Sequence, residues 1–172
     1  CGVGRSCAAN RDSRGAVSAF ARAATCCRRD DVLRASEPDA LAIVLEEAAS
    51  VHEEAGQPSA ALALYKEALK ARESSFGSEH LLVAITLNNM ARAQAATGDR
   101  LGAMASLERS LDIKLTTVGG QDPEMAITFA NIGALHAQQG ALELARDNYL
   151  SALRITCGAY GDNHPRTAAA MR

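Results

Sequence analysis

The chain has 172 residues, of which 48% are hydrophobic, and alanine makes up much of that fraction. With 3% aromatic residues and no tryptophan, the composition favours closely packed helices over the β-branched and aromatic surfaces of a sheet. A formal net charge of −2 argues against nucleic acid as a partner, and the absence of a long apolar run excludes a predicted membrane span.

The N-terminal region is predicted to contain a flexible tail followed by half of a helical hairpin. Residues 1–13 are rich in small and polar residue types and lack hydrophobic periodicity, so we expect a tail there. The half-hairpin is predicted over 14–34, in register with the repeats described below. Because the chain begins with Cys1 rather than methionine, we expect it to be a piece of a longer array.

The five cysteines favour reduced thiols. Their spacing shows neither a C-x-x-C motif nor the ligand spacing of a zinc site, so a disulfide framework is not predicted either. The start of the chain also lacks the apolar core of a signal peptide. We therefore expect an intracellular, cytoplasmic protein.

A repeat of 42 residues organises the rest of the chain. Gly56, Gly98 and Gly140 lie 42 residues apart, and each ends one apolar-periodic stretch. Glycine readily adopts the left-handed backbone that ends a helix, so these positions are predicted turns inside helical hairpins. A second turn recurs around residues 77, 119 and 161. The pattern predicts hairpins at 39–75, 81–117 and 123–158, and the start of a further helix at 165–172.

Small side chains recur at the same step inside the predicted helices. Ala42, Ala84 and Ala126 occupy one position of the first helix of each hairpin, and a corresponding alanine recurs in the second helices. Such residues let paired helices approach closely. The chain is therefore predicted to be all-α.

These offsets resemble the tetratricopeptide repeat, and the segments TLNNMARAQAATGD and YGDNHPRTA are similar to the 42-residue kinesin light chain type. The resemblance covers residues 16–172, although the proline that usually closes the second helix is absent. It implies a right-handed superhelical solenoid of antiparallel hairpins. The first helices would line a concave groove that accepts a peptide.

The resemblance also implies a set of groove residues. By analogy with the family's asparagine in the first helix, Asn89 and Asn131 should point into the groove, whereas Glu47 stands at the matching position of the first repeat. Alternatively, the asparagines cap or cross-link helices. The further candidates from the same register are Glu46, Ser50, Asn88, Arg92 and Gln138.

The predicted groove runs from acidic in the first repeat to neutral in the third. A partner with basic residues toward the first repeat would fit it, whereas the carboxylate clamp of some family members is disfavoured because Arg92 is the one cation among these positions. The acidic stretch that includes Glu46, Glu47, Glu53 and Glu54 is either a patch for a basic partner or a solvated helix face.

Recurring histidines do not indicate a metal site. His52 and His136 share one repeat position, and His80 and His164 share another. A residue type that returns in successive repeats suggests a packing or capping role, and neither pair has a cysteine or carboxylate at ligand spacing. Motifs for a nucleophile or a phosphate loop are absent as well. We predict no enzyme activity, no cofactor and no metal.

The expected function is a protein-protein interaction scaffold that binds a partner peptide in the groove. Two alternatives remain: a structural subunit of a large multiprotein complex, and a regulatory repeat array of a larger multidomain protein. The expected partners are proteins or peptides, with membership of a larger assembly left open.

Overall fold

The computed structural model describes residues 2–30, 37–120, 122–161, 164, 165 and 167, with residues 2–14 and 17 described by their backbone alone. Within these ranges the chain forms helices and no strand. Helix α1 spans Gly2–Arg29. The six following helices are α2 (Ala40–Glu54), α3 (Pro58–Phe76), α4 (Leu81–Ala96), α5 (Arg100–Thr117), α6 (Pro123–Gln138) and α7 (Leu142–Tyr160).

The six helices form three hairpins that stack along the chain: α2 pairs with α3, α4 with α5, and α6 with α7. Each hairpin packs on the next, and α1 packs on α2. Tight turns join the paired helices, and Gly98 and Gly140 adopt φ angles of 88° and 77° there. These left-handed conformations strain any residue with a Cβ, which explains glycine at the recurring turn positions.

Helix α1 departs from the prediction. It begins at Gly2 rather than at residue 14, so residues 2–13 are helical where a flexible tail was expected. The segment has no proline and contains two alanines and two arginines, which are good helix formers. Hydrophobic periodicity indicates which face of a helix is buried, but a segment can be helical without it. Residues 31–34 of the predicted half-hairpin and most of the predicted helix at 165–172 lie outside the described residues.

The core lies between successive helices and is built around the recurring alanines. Ala42 and Ala84 in the first helices, and Ala61 and Ala103 in the second helices, are completely buried. Larger side chains, among them Tyr65, pack around them. Since an alanine methyl group adds little to the separation of two helices, the paired backbones approach closely at these points.

The histidines that recur between hairpins have packing and capping roles, as predicted. The His80 ring stacks on Phe76, and its Nδ1 accepts a hydrogen bond from the Leu82 backbone N–H at the start of α4. In the equivalent place two repeats later, His164 stacks on Tyr160. In the second interhairpin loop Asp122 caps α6 instead, since its Oδ1 accepts from the Glu124 N–H.

Candidate functional site

One face of each first helix is left open by the packing. Residues three, four and seven positions apart lie on one side of an α-helix, and none of the twelve positions on this side is buried. We call this side the groove face. It consists of Ile43, Glu47, Ser50 and Glu54 in α2, Ile85, Asn89, Arg92 and Ala96 in α4, and Ile127, Asn131, Ala134 and Gln138 in α6.

A cavity of about 300 Å³ lies between the groove faces of α4 and α6, with α5 beneath it. We call this cavity the second crevice. The equivalent space one repeat earlier, between α2 and α4, is called the first crevice. Three of the sequence-predicted residues line the second crevice: Arg92, Asn131 and Gln138. The remaining lining residues are Ala91, Ala95, Ala96, Ala103, Leu107, Ala134 and Leu135. The site is thus an apolar pocket with a few polar groups around it.

The two predicted asparagines of the groove have different surroundings. The Asn131 Nδ2 donates a hydrogen bond of 3.1 Å to the Oδ1 of Asn88, which is buried in α4. This amide pair links neighbouring hairpins, so Asn131 cross-links helices while it also lines the second crevice. Asn89 is half-buried on the groove face of α4. Asn88, which the sequence placed among the groove candidates, instead lies between the helices.

Glu46 also lies away from the open face. Its Oε1 accepts a hydrogen bond of 2.9 Å from Arg72 in α3, and its side chain is 16% exposed. Burial raises the pKa of the Glu46 carboxyl, with an opposing contribution from the Arg72 charge. Glu46 therefore holds hairpin structure together at a place where the sequence predicted a contact with a partner.

The rest of the acidic stretch is partly neutralised inside the protein. The Glu53 carboxylate accepts hydrogen bonds from the Tyr65 hydroxyl at 3.0 Å and from the Arg92 guanidinium at 2.5 Å. Burial raises the pKa of the Tyr65 hydroxyl, and the Glu53 charge raises it further. Of the four glutamates, Glu47 and Glu54 are exposed. The acidic character predicted for this end of the groove is correspondingly smaller.

Arg72 is a buried cation at a hairpin junction that sequence reasoning missed. It donates to both carboxylate oxygens of Asp39, to Glu46, and across the hairpin junction to the Leu82 carbonyl and the Thr86 hydroxyl. A signal for it exists in the 42-residue step, which aligns Arg72 with Lys114 and Thr86 with Thr128. Both cations occupy equivalent positions at junctions between hairpins.

Comparison with known proteins identifies the repeat. Two family models, both described as tetratricopeptide repeat, match residues 40–116 and 125–166. A search of curated protein sequences gives no significant match.

Solved structures share the fold. The crystal structure of BtubC (BKLC) from P. vanneervenii is 21% identical, with a TM-score of 0.75 over 93% of this chain and 64% of that one. A Podosopora anserina protein described as a kinesin light chain with nearly identical TPR-like repeats is 21% identical, with a TM-score of 0.69 over 78% of this chain and 63% of that one. A second crystal structure of the Podosopora repeats is 20% identical, with a TM-score of 0.72 over 94% and 74%.

The chain thus spans slightly less than two thirds of the length of the first two of these structures. The two family matches together cover more than two thirds of the chain itself. The chain belongs to the tetratricopeptide repeat family and shares the fold of these kinesin light chain repeats.

Proposed function

We propose that this chain is a protein-interaction scaffold that holds a segment of a partner protein along the groove faces of α2, α4 and α6. The observation that carries the proposal is the second crevice, a pocket of about 300 Å³ that lies on this open side and combines apolar walls with polar groups. Binding sites in proteins are typically concave and mostly apolar, with a small number of polar groups that fix orientation.

The chemistry of the groove face suits an extended segment. Among the residues that the structure describes, Asn131 bonds only to Asn88, which leaves one amide hydrogen and the Oδ1 for a ligand, and Gln138 is exposed beside it. An amide can donate to and accept from a peptide backbone at once. Exposed Ile43 and Ile127 add apolar contact area at the other end of the same faces. Together these groups support backbone hydrogen bonds combined with side-chain burial.

The site can be located by photo-crosslinking in an extract of the source cells. A photoreactive residue at Ala96, which lines the second crevice, is compared with one at Glu108, which is exposed on α5. We expect a partner to crosslink from position 96 and not from position 108. Crosslinks from position 108 alone would reject the groove and favour a structural subunit bound through its second helices.

A pair of matched double variants tests the polar groups. We expect Asn89→Ala/Asn131→Ala to weaken capture of the crosslinked partner. The control, Lys66→Ala/Glu108→Ala, changes two exposed positions of the second helices that are also one repeat apart. Since Asn131→Ala removes a donor from buried Asn88, at a cost of about 1–3 kcal/mol, capture is measured at a temperature where all proteins keep the same helical circular dichroism. Equal capture by both variants would contradict the proposal.

A further inference from the structure

The two crevices of the groove differ in what fills them. The 42-residue step pairs each residue around the second crevice with one around the first, and in three of these pairs a polar side chain that is hydrogen-bonded within the first crevice is replaced by a smaller apolar one. Glu53 corresponds to Ala95, Tyr65 to Leu107, and Arg92 to Ala134. The cavity of about 300 Å³ between α4 and α6 is lined by all three of the smaller residues.

In the first crevice the three larger side chains form one connected cluster. The Tyr65 side chain is 2% exposed, its hydroxyl donates to Glu53, and Glu53 also accepts from Arg92, which crosses from α4 to α2. The hydroxyl and the two charges therefore find partners within the crevice itself. A ligand entering there would have to break this cluster and leave polar groups without partners, which costs free energy.

We propose that Glu53, Tyr65 and Arg92 form an internal plug that closes the first crevice, so that the groove anchors its partner at the second crevice, through one bulky uncharged side chain. The inference rests on the proposed groove function and specifies the part of the groove that selects the partner.

An uncharged side chain is favoured because the walls are mainly alanine and leucine, and a buried charge without a partner is costly. A volume of about 300 Å³ lies at the lower end of the ~300–1,000 Å³ of whole-ligand pockets, which suits a single side chain.

The test uses p-cresol, the side-chain analogue of tyrosine, titrated into the full chain and followed by amide proton–nitrogen NMR. We expect saturable shifts around Ala95, Ala134 and Leu135 of the second crevice, and none around Ala49 and Ala61 of the first. Shifts at both crevices, shifts at the first crevice alone, or no saturable binding at all would overturn the proposal.

Two exchange variants test the plug directly. Ala95→Glu/Leu107→Tyr/Ala134→Arg transfers the plug to the second crevice and should weaken p-cresol binding there by roughly tenfold or more. Glu53→Ala/Tyr65→Leu removes most of the plug without altering Arg92, which also lines the second crevice, and should add a second set of shifts around Ala49. Binding unchanged in the first variant, or no new shifts in the second, would refute the plug.

If the triple exchange does not fold, the single change Ala134→Arg gives the same test with less disturbance, since it places a long side chain over the open cavity. The outcome remains separable from that of the proposed function. Selective p-cresol binding at the second crevice without any groove-crosslinked partner would retain the plug and reject the peptide-binding role. A crosslinked partner without selective p-cresol binding would retain the peptide-binding role and reject the plug.

Discussion

Two buried cations stand at equivalent positions of successive hairpin junctions. Arg72 is 4% exposed and donates to acceptors on α2 and α4. Lys114 is 1% exposed and donates to the Glu124 carbonyl and the Thr128 hydroxyl of α6. Burial lowers the pKa of the Lys114 ammonium, and the Glu124 charge opposes that change. A buried cation needs several acceptors. Those of Arg72 lie on both α2 and α4, and those of Lys114 lie on α6, so each cation ties two neighbouring hairpins together.

Replacement of Arg72 by alanine should be strongly destabilising. Arg72→Ala leaves the Asp39 and Glu46 carboxylates, which are 20% and 16% exposed, without their cation. We expect the free energy of unfolding to fall by about 3 kcal/mol, measured by urea denaturation. The control Lys70→Ala changes an exposed residue of the same helix and should stay within about 0.5 kcal/mol of the wild type. A similarly small effect of Arg72→Ala would show that the cluster contributes little.

The raised pKa of Glu46 predicts a particular pH dependence. An acid whose pKa is higher in the folded state binds its proton more tightly there, so its stabilising contribution is complete below the ordinary value of 4.5 and is lost as the pH rises through the folded pKa. The unfolding free energy of the wild type minus that of Glu46→Gln should therefore fall between about pH 4 and about pH 7. Urea unfolding of both proteins across this pH range measures the difference. A difference that rises with pH would contradict the prediction.

At the scale of the helices, close approach is the main constraint on packing. In the third hairpin a Cβ added at Gly133 would lie 3.1 Å from the Tyr149 ring and 3.2 Å from the Ala145 carbonyl oxygen. The two preceding repeats have Ala49 and Ala91 at this position, both buried. Helix α6 therefore sits close enough to α7 that the smallest residue is favoured at the crossing point.

Enlarging another contact between these helices should be costly. Ala126 in α6 is 8% exposed and packs with Met125, Ala152 and Ile155. Ala126→Leu should lower the free energy of unfolding by about 1–3 kcal/mol because the larger side chain forces the helices apart. As a control, Ile127→Ala changes a neighbouring position that is 50% exposed, and its free energy of unfolding should stay within about 0.5 kcal/mol of the wild-type value. Thermal unfolding measures both, and an unchanged melting temperature for Ala126→Leu would show that the contact can accommodate the extra volume.

The whole molecule is a stack in which contacts join helices that are close in the chain. The buried clusters follow this order: one joins the first and second hairpins, the next joins the second and third, and another lies within the third. In such an array the stability is approximately a sum of hairpin terms and junction terms.

Shortening the chain by whole hairpins should consequently weaken it in steps. We expect chains that end at Gly119 and at Gly77 to retain helical circular dichroism and to unfold at progressively lower urea concentrations. Removal of the third hairpin uncovers Leu107, which is 2% exposed in the full chain, so the first step should already be measurable. Loss of all helical signal when only that hairpin is removed would instead indicate one indivisible core.

Much of the architecture is determined by local sequence signals. The hairpin turns depend on glycines that adopt positive φ, and the close helix contacts depend on small residues that recur every 42 positions, so both features are legible along the chain. The extent of α1 was mispredicted because its N-terminal half has no hydrophobic periodicity although its residue types are compatible with a helix.

The partners of polar side chains were decided by the tertiary structure alone. Asn131 bonds to Asn88, 43 residues away, and Arg72 bonds to Asp39, 33 residues away. Sequence periodicity identifies the helix face on which a residue lies, but not which group of another helix comes within hydrogen-bonding distance. For the same physical reason the sequence placed Glu46 and Asn88 in the groove, whereas the packing of neighbouring helices turned them into internal contacts and left the crevice beside Asn131 open.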